Sequence, residues 1–153
     1  GGVFGNDHSI LGGSYRMPEF NALLANLSLE NLKSEMGHRK KYAEMMVSGV
    51  KEFDVVDPSY LDSFSGYKLI VSNREYPGQR LEKYLASRDI ICGGAVYRTP
   101  CHMQPVFKHI EAGTDFLQNT ELFCKMHFCP PLHSGLEESQ VYKIIDSLND
   151  FRL

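Results

Sequence analysis

The chain has 153 residues, of which 42% are hydrophobic and 23% charged, and its formal net charge is -3. This length is enough for about one domain with its own core, and so small a net charge gives no reason to expect nucleic acid or an anionic membrane as a partner. No apolar run approaches the roughly 20 residues of a membrane span, and the front of the sequence has no secretory signal pattern.

The first predicted element is a long helical region that lies between residues 12 and 53. Pro18 suits the first helical position and Glu19 suits the positive end of the helix dipole. Apolar residues then recur at spacings of three and four, and a second stripe, from Tyr42 to Phe53, follows an interruption at Gly37. The pattern predicts two collinear helices, or one helix with a joint at Gly37. The apolar face before Gly37 is broad enough to indicate burial against more than one neighbour or another subunit, and its residues are Phe20, Ala22, Leu23, Leu24, Ala25, Leu27, Leu29, Leu32 and Met36.

Short strands and helices alternate in the rest of the chain. Asp57-Pro58 ends the helical region, because a residue before proline is pushed out of the helical conformation. β-Branched and aromatic runs predict strands at 67–72, 90–92, 95–97 and 127–129. Helices are predicted at 79–87, at 116–125 and after a capping box formed by Ser134 and Glu137. The expected fold class is therefore α/β of the α+β type: a small mixed or antiparallel sheet packed on helices, with a long N-terminal helix.

The four cysteines lie in or beside apparent strands and apolar stretches, without the density of a disulfide framework: Cys92, Cys101, Cys124 and Cys129. We therefore expect reduced thiols and a cytoplasmic protein. Cys124, His127, Cys129 and His133 form the only metal-like cluster, but their spacing matches no standard zinc pattern. Core thiols and edge histidines, with no metal, are the expected interpretation.

Two polar segments are candidate binding sites. Ser14, Tyr15 and Arg16 stand just before a helix N-terminus, where they suit a phosphate or carboxylate. From these residues alone, an ordinary helix start with Arg16 on the surface is the favoured interpretation, because helix N-termini are common and anion sites are not. His102 and Gln104 lie in a loop braced by Pro100 and Pro105, and binding residues gather in such loops. A loop histidine bonded to a backbone carbonyl explains His102 equally well.

Three segments, taken together, resemble one family, the DegT/DnrJ/EryC1/StrS sugar aminotransferases. Residues 13–20 resemble the family's Gly-x-Asn-Tyr-Arg-Met segment, with Ser14 in place of the Asn. Residues 97–107 resemble its Tyr-Pro-x-x-Leu-His-x-Gln-Pro loop, with Cys101 in place of the Leu. Residues 116–151, through Glu121, Pro131 and His133, resemble its C-terminal ending. The likeness spans nearly the whole chain in the same order.

The resemblance implies a pyridoxal-phosphate enzyme of fold type I that works as a homodimer on an amino donor and a nucleotide-linked keto sugar. It implies that Ser14 and Arg16 contact the cofactor of the partner subunit, and that Tyr15, His102 and Gln104 contact substrate. Ser14 has less reach than the family's Asn. None of the nine lysines stands in a family-like cofactor setting, so no catalytic residue is assigned and the chain by itself is expected to be inactive.

The resemblance also implies a domain organisation. Residues 1–17 would be a remnant or linker from a large domain, residues 18–53 a connecting helix with a joint near Gly37, and residues 54–153 the small C-terminal domain. Because the sequence begins with Gly-Gly rather than Met, we expect it to be a piece of a longer protein. Two alternatives stay open: a truncated non-catalytic relative that serves as a dimerisation or interaction module, and the C-terminal part of a pyridoxal-phosphate sugar dehydratase of the same family.

Overall fold

The computed structural model describes residues 16–57, 68–107, 109 and 117–152. The chain divides into two compact units, residues 1–33 and 34–153. The described residues contain four α-helices: α1 Glu19–Gly49, α2 Gly78–Ala86, α3 Gln118–Met126 and α4 Glu138–Asn149. They also contain three short strands: β1 Asp54–Val55, β2 Val71–Ser72 and β3 His127–Phe128. The mixed helix-and-sheet class expected from the sequence is confirmed.

In the first unit, the described residues are 16–33, the start of α1. The large apolar side chains that the periodicity marks as a contact surface are exposed there: Phe20, Leu23, Leu24, Leu27, Leu29 and Leu32. Their exposure leaves an apolar helix face of the kind that marks an interaction site.

α1 passes through Gly37 without interruption and ends at Gly49, not at Phe53 as the sequence predicted. A glycine lowers helix propensity but keeps its backbone hydrogen bonds, so it does not by itself make a joint. The end is set by a distant side chain: the Asn149 amide donates to the Gly49 carbonyl (2.9 Å) and accepts from the Lys51 N–H (2.8 Å). The predicted domain boundaries stay a prediction.

In the second unit, the three strands form one antiparallel sheet in the order β1-β2-β3. Val71 of β2 lies opposite Val55 of β1 and Phe128 of β3. The strands are shorter than predicted, and the stretches at 90–92 and 95–97 are not strands. Instead, the Gly93 N–H donates to the Cys129 carbonyl (3.2 Å) and the Cys129 N–H donates to the Gly94 carbonyl (3.0 Å). Gly94 has a φ of 76°, which interrupts extended backbone between the two stretches.

The core of the second unit lies between the sheet, α2, α4 and the second half of α1. Its members are fully or nearly fully buried and include Met46, Val71, Leu81, Leu85, Phe128, Val141 and Leu148. The Tyr42 hydroxyl donates to the Leu136 carbonyl at 2.8 Å inside this core. The periodic apolar rows of α2 and α4 therefore face inward, as the sequence indicated.

The capping box of α4 lies at a different position from the predicted one. Glu137, not Ser134, is the N-cap, and its side chain accepts from the backbone N–H of Gln140. The Gln140 side chain in turn accepts from the Glu137 N–H at 2.9 Å. Glutamate is a less usual N-cap than serine, so the sequence pattern selected the wrong residue pair. Among the helices of the described ranges, none is long and apolar enough to cross a membrane.

Candidate functional site

The polar loop predicted from the sequence lies between Pro100 and Phe107 and contains two short 3₁₀ turns, Cys101–Met103 and Pro105–Phe107. His102 reaches α3, where its Nε2 lies 2.9 Å from Glu121 Oε1. The His102 side chain is only 15% exposed. Gln104 donates from Nε2 to the Thr99 carbonyl at 3.1 Å. The loop is thus held by its own turns and by α3, and its two predicted substrate-binding side chains are oriented by hydrogen bonds.

Arg98 fixes the start of this loop to two other elements. Its Nη1 donates to the carbonyl of His127 in β3 at 2.8 Å, and its Nη2 pairs with the Glu82 carboxylate of α2. Both side chains of this pair are largely covered, at 27% and 22% exposed. A guanidinium that binds a carboxylate and a carbonyl together makes strong, directional bonds, so the backbone at Arg98 has a defined position.

His127 fixes the loop a second time, through its ring. The Val96 N–H donates to Nε2 at 2.9 Å, and Nδ1 lies 2.6 Å from the Phe123 carbonyl. An N–H can only donate and a carbonyl can only accept, so the ring is neutral and carries its proton on Nδ1. His127 is fully buried, and its ring stacks on Phe123 with 4.4 Å between centroids.

Sequence reasoning placed His127 among edge histidines and missed its contacts with the loop. The only signal was its position on a predicted strand, since its partner Val96 is 31 residues away along the chain. His133, the other histidine of that cluster, is exposed.

The predicted cofactor contacts lie at the other end of the chain. Arg16 is exposed, while Ser14 and Tyr15 lie outside the described residues. In the described part of the chain, therefore, Arg16, His102 and Gln104 are the predicted site residues with a known position.

The cysteines do not form a metal-binding centre in the described ranges. Burial raises the pKa of Cys92 to about 12 and also raises the pKa of Cys129, so both thiols stay protonated near neutral pH. No group of three or more potential ligands that could hold a metal ion occurs among the described residues. All four cysteines are free thiols, and Cys101 is exposed.

A cleft of about 600 Å³ lies elsewhere in the second unit, lined by Lys51, Glu52, Phe53, Asp54, Asn73, Arg74, Glu75, Tyr76, Phe151 and Arg152. Arg16, His102 and Gln104, the predicted site residues that the structure describes, are not among its lining residues. The cleft is therefore a second candidate place for a ligand, apart from the polar loop. We favour the loop, because its side chains are held by directional bonds.

Residues 4–149 match the sequence model of the DegT/DnrJ/EryC1/StrS aminotransferase family. No curated protein matches the chain.

Several solved structures share the fold. DesV of S. venezuelae, solved in complex with a ketimine intermediate, superposes with a TM-score of 0.80 at 22% identity over 94% of this chain and 39% of its own. PseC of Helicobacter pylori is an aminotransferase involved in the biosynthesis of pseudoaminic acid. It superposes with a TM-score of 0.77 at 19% identity, over 96% of this chain and 40% of its own. A DegT DnrJ EryC1 StrS aminotransferase from Brucella abortus superposes with a TM-score of 0.78 at 22% identity, over 96% of this chain and 39% of its own. The chain thus spans about two fifths of the length of each structure.

Proposed function

We propose that this chain, which belongs to the DegT/DnrJ/EryC1/StrS aminotransferase family, is the C-terminal part of a pyridoxal-phosphate enzyme that transfers an amino group to a nucleotide-linked keto sugar. The family match over residues 4–149 carries the proposal. The shared fold with DesV and PseC supports it. Pyridoxal phosphate, when bound, would supply the electron sink for amino transfer, and the enzyme would act as a cytoplasmic homodimer.

His102 and Gln104 are proposed to orient the sugar nucleotide. Both side chains stand on a segment whose start is fixed by Arg98 and whose middle is fixed by the bond between His102 and Glu121. A preset loop loses little freedom when a ligand binds, so its hydrogen bonds contribute more of their energy to binding. Glu121, 43% exposed, sets which way the imidazole points.

Ser14, Tyr15 and Arg16 are proposed to approach the cofactor phosphate and substrate of the partner subunit. Arg16 is exposed and suits this role, because a guanidinium can form two parallel hydrogen bonds to a phosphate group.

The chain by itself is expected to hold no complete pyridoxal-phosphate site. Such a site needs a lysine for the Schiff base, beside groups that hold the phosphate and the ring nitrogen. Among the described lysines all but Lys68 are exposed, and Lys68 donates to the carbonyls of Gly93 and Ala95 at 3.2 Å each. The proposed contribution of this chain is substrate binding and contact with a neighbouring subunit.

The proposal is tested in the enzyme encoded by the whole natural gene, with His102→Ala and Gln104→Ala. Losing a hydrogen bond to substrate costs about 1.4 kcal/mol, so the KM for the nucleotide sugar should rise about tenfold. Each substitution also removes one hydrogen bond within the loop, to Glu121 or to the Thr99 carbonyl, so the melting temperature should fall only slightly, as expected for a loss of about 1 kcal/mol. His133→Ala and Gln79→Ala, two exposed positions, are the matched controls. A large fall in melting temperature with an unchanged KM would show that the loop is structural.

The chain of 153 residues alone should not transaminate or retain pyridoxal phosphate on a lysine. Incubation with the cofactor, borohydride reduction and peptide mapping test this expectation. One stoichiometric lysine adduct together with amino transfer would contradict it.

A second candidate, a non-catalytic interaction module, is favoured by one observation. Six large apolar residues at the start of α1 are exposed. Light scattering on the chain tests this candidate, since a module of this kind should associate and Leu24→Glu should prevent it. The upstream part of the natural gene separates the remaining alternatives: a cofactor lysine there indicates the aminotransferase, a histidine the dehydratase, and the lack of a cofactor domain the module.

A further inference from the structure

His127 is a buried ionisable side chain to which the proposed function assigns no role. Its side chain is fully buried, yet both ring nitrogens are engaged by backbone groups, Val96 on one side and Phe123 on the other. A side chain that merely filled the core would need no polar atoms at all. Two directional bonds in a buried place instead specify one orientation and one tautomer.

The two bonds join two separate parts of the site. Phe123 belongs to α3, the helix that also carries Glu121, the partner of His102. Val96 stands four residues before Pro100, in the segment that leads into the loop, and two residues before Arg98. The ring therefore sets the distance between the loop start and α3, and the bond between His102 and Glu121 spans the same two elements further along.

The backbone of His127 adds a third tie. Its carbonyl accepts from Arg98 Nη1 at 2.8 Å, and the same guanidinium pairs with Glu82 of α2. Gly78, the first residue of α2, allows this approach, because an added Cβ would lie 2.1 Å from the His127 carbonyl oxygen. One residue thus contacts the loop twice, through its ring and through its carbonyl.

We propose that His127 is a positioning residue, whose Nδ1-protonated ring holds the loop start against α3 so that His102 and Gln104 face the substrate. The role in substrate binding rests on the proposed function above, whereas the anchoring of the loop does not.

Two substitutions separate the two ring nitrogens. Asparagine places its amide near the Nδ1 position, so His127→Asn keeps a donor for the Phe123 carbonyl and loses the acceptor for Val96. Glutamine reaches the Nε2 position, so His127→Gln keeps the acceptor. His133→Asn, at an exposed histidine, is the control.

The first measurement is amide hydrogen exchange by NMR on the 153-residue chain. In His127→Asn the Val96 amide should exchange at least about tenfold faster, as expected for one lost hydrogen bond. In His127→Gln and His133→Asn it should stay near the wild-type rate. The Ile90 amide, bonded to the Leu85 carbonyl at 3.0 Å, reports whether the unit as a whole has loosened and should not change.

Two results would overturn the anchoring role. One is an unchanged Val96 rate in His127→Asn. The other is equal acceleration at Val96 and Ile90, which would mean that His127 supports the core in general. If the Asn variant fails to fold, the ¹⁵N spectrum of the wild-type His127 ring tests the anchoring instead. A proton on Nε2 would refute it, because a protonated Nε2 cannot accept from the Val96 N–H.

The second measurement is kinetics in the intact enzyme. His127→Asn should raise the KM for the nucleotide sugar about tenfold with a smaller change in kcat, and His127→Gln should restore it. A released Val96 amide with an unchanged KM would confirm the anchoring and refute the substrate role of the loop, which is a failure of the proposed function. An unchanged amide with a raised KM would refute the anchoring alone.

Discussion

Replacing Gly78 with alanine should damage the structure where α2 begins, although alanine is the better helix former. An ideal Cβ at this position would lie 2.1 Å from the His127 carbonyl oxygen and 2.6 Å from its carbonyl carbon. Both are backbone atoms, so neither can rotate away, and α2 or β3 has to move by roughly 1 Å to restore normal contact.

The expected loss of stability combines two effects. Overpacking costs typically about 1–3 kcal/mol. The required shift also disturbs the bond between Arg98 and the His127 carbonyl, and a hydrogen bond to a charged group contributes about 1.5–3 kcal/mol. Because the shift would weaken this bond without removing it, we expect a total of about 3 kcal/mol, near the lower end of the combined range. At about 2–4 °C per kcal/mol for a protein of this size, the melting temperature should fall by roughly 6–12 °C.

Thermal unfolding followed by circular dichroism measures this effect, with two other glycines as controls. Added Cβ atoms at Gly93 and Gly37 would meet nothing within 4 Å. Gly93→Ala should be nearly neutral, and Gly37→Ala should stabilise the exposed helix by up to about 1 kcal/mol. A Gly78→Ala variant that melts within 2 °C of the wild type would refute the packing argument.

Four further predictions concern stability and thiol chemistry. Asn149→Ala removes two bonds at the end of α1 and should cost about 1–3 kcal/mol in urea unfolding; a loss below about 0.5 kcal/mol would contradict the capping role. Tyr42→Phe leaves a buried carbonyl without its 2.8 Å donor and should cost about 1 kcal/mol, whereas Tyr142→Phe, at an exposed ring, should be neutral; equal effects would refute the burial argument. A thiol reagent at pH 8 should modify one cysteine quickly, and this fast reaction should disappear in Cys101→Ser, because Cys101 is exposed. Cys92 should react slowly, since a pKa of about 12 leaves roughly one Cys92 thiol in ten thousand ionised at this pH. Stability should also fall as the pH rises from 9 towards 12, since the unfolded Cys92 thiol loses its proton there while the folded thiol keeps it; a Cys92→Ser variant with the same pH slope would contradict this cause.

The elements predicted well are those that local sequence determines. The apolar rows of α2 and α4 repeat over whole helical turns, so their inward faces follow from the sequence. The two-residue strands are too short to carry a period, and β-branched content alone extended them beyond their true ends. At 93–96, backbone groups bond to Cys129 and to the His127 ring, and no local pattern signals such distant partners.

The candidate site likewise has a part that the sequence predicts and a part that it does not. The proline-braced loop with His102 and Gln104 is visible in the sequence, because polar residues between two prolines form a local signal. The contacts that hold the loop are not visible in the sequence. Arg98 bonds to His127, 29 residues later in the chain, and to Glu82, 16 residues earlier. The end of α1 at Gly49 depends on Asn149, 100 residues later. Tertiary contacts of this range decide where an element stops and which side chain is fixed.

Hydrogen exchange on the intact enzyme, loaded with pyridoxal phosphate, tests the proposed site most directly. The amides of residues 97–107 are compared with and without a saturating nucleotide-linked keto sugar. Exchange in this segment should slow when the sugar binds, most of all around His102 and Gln104. Protection confined to residues 51–54 and 73–76, which line the 600 Å³ cleft, with no change in the loop, would contradict the account.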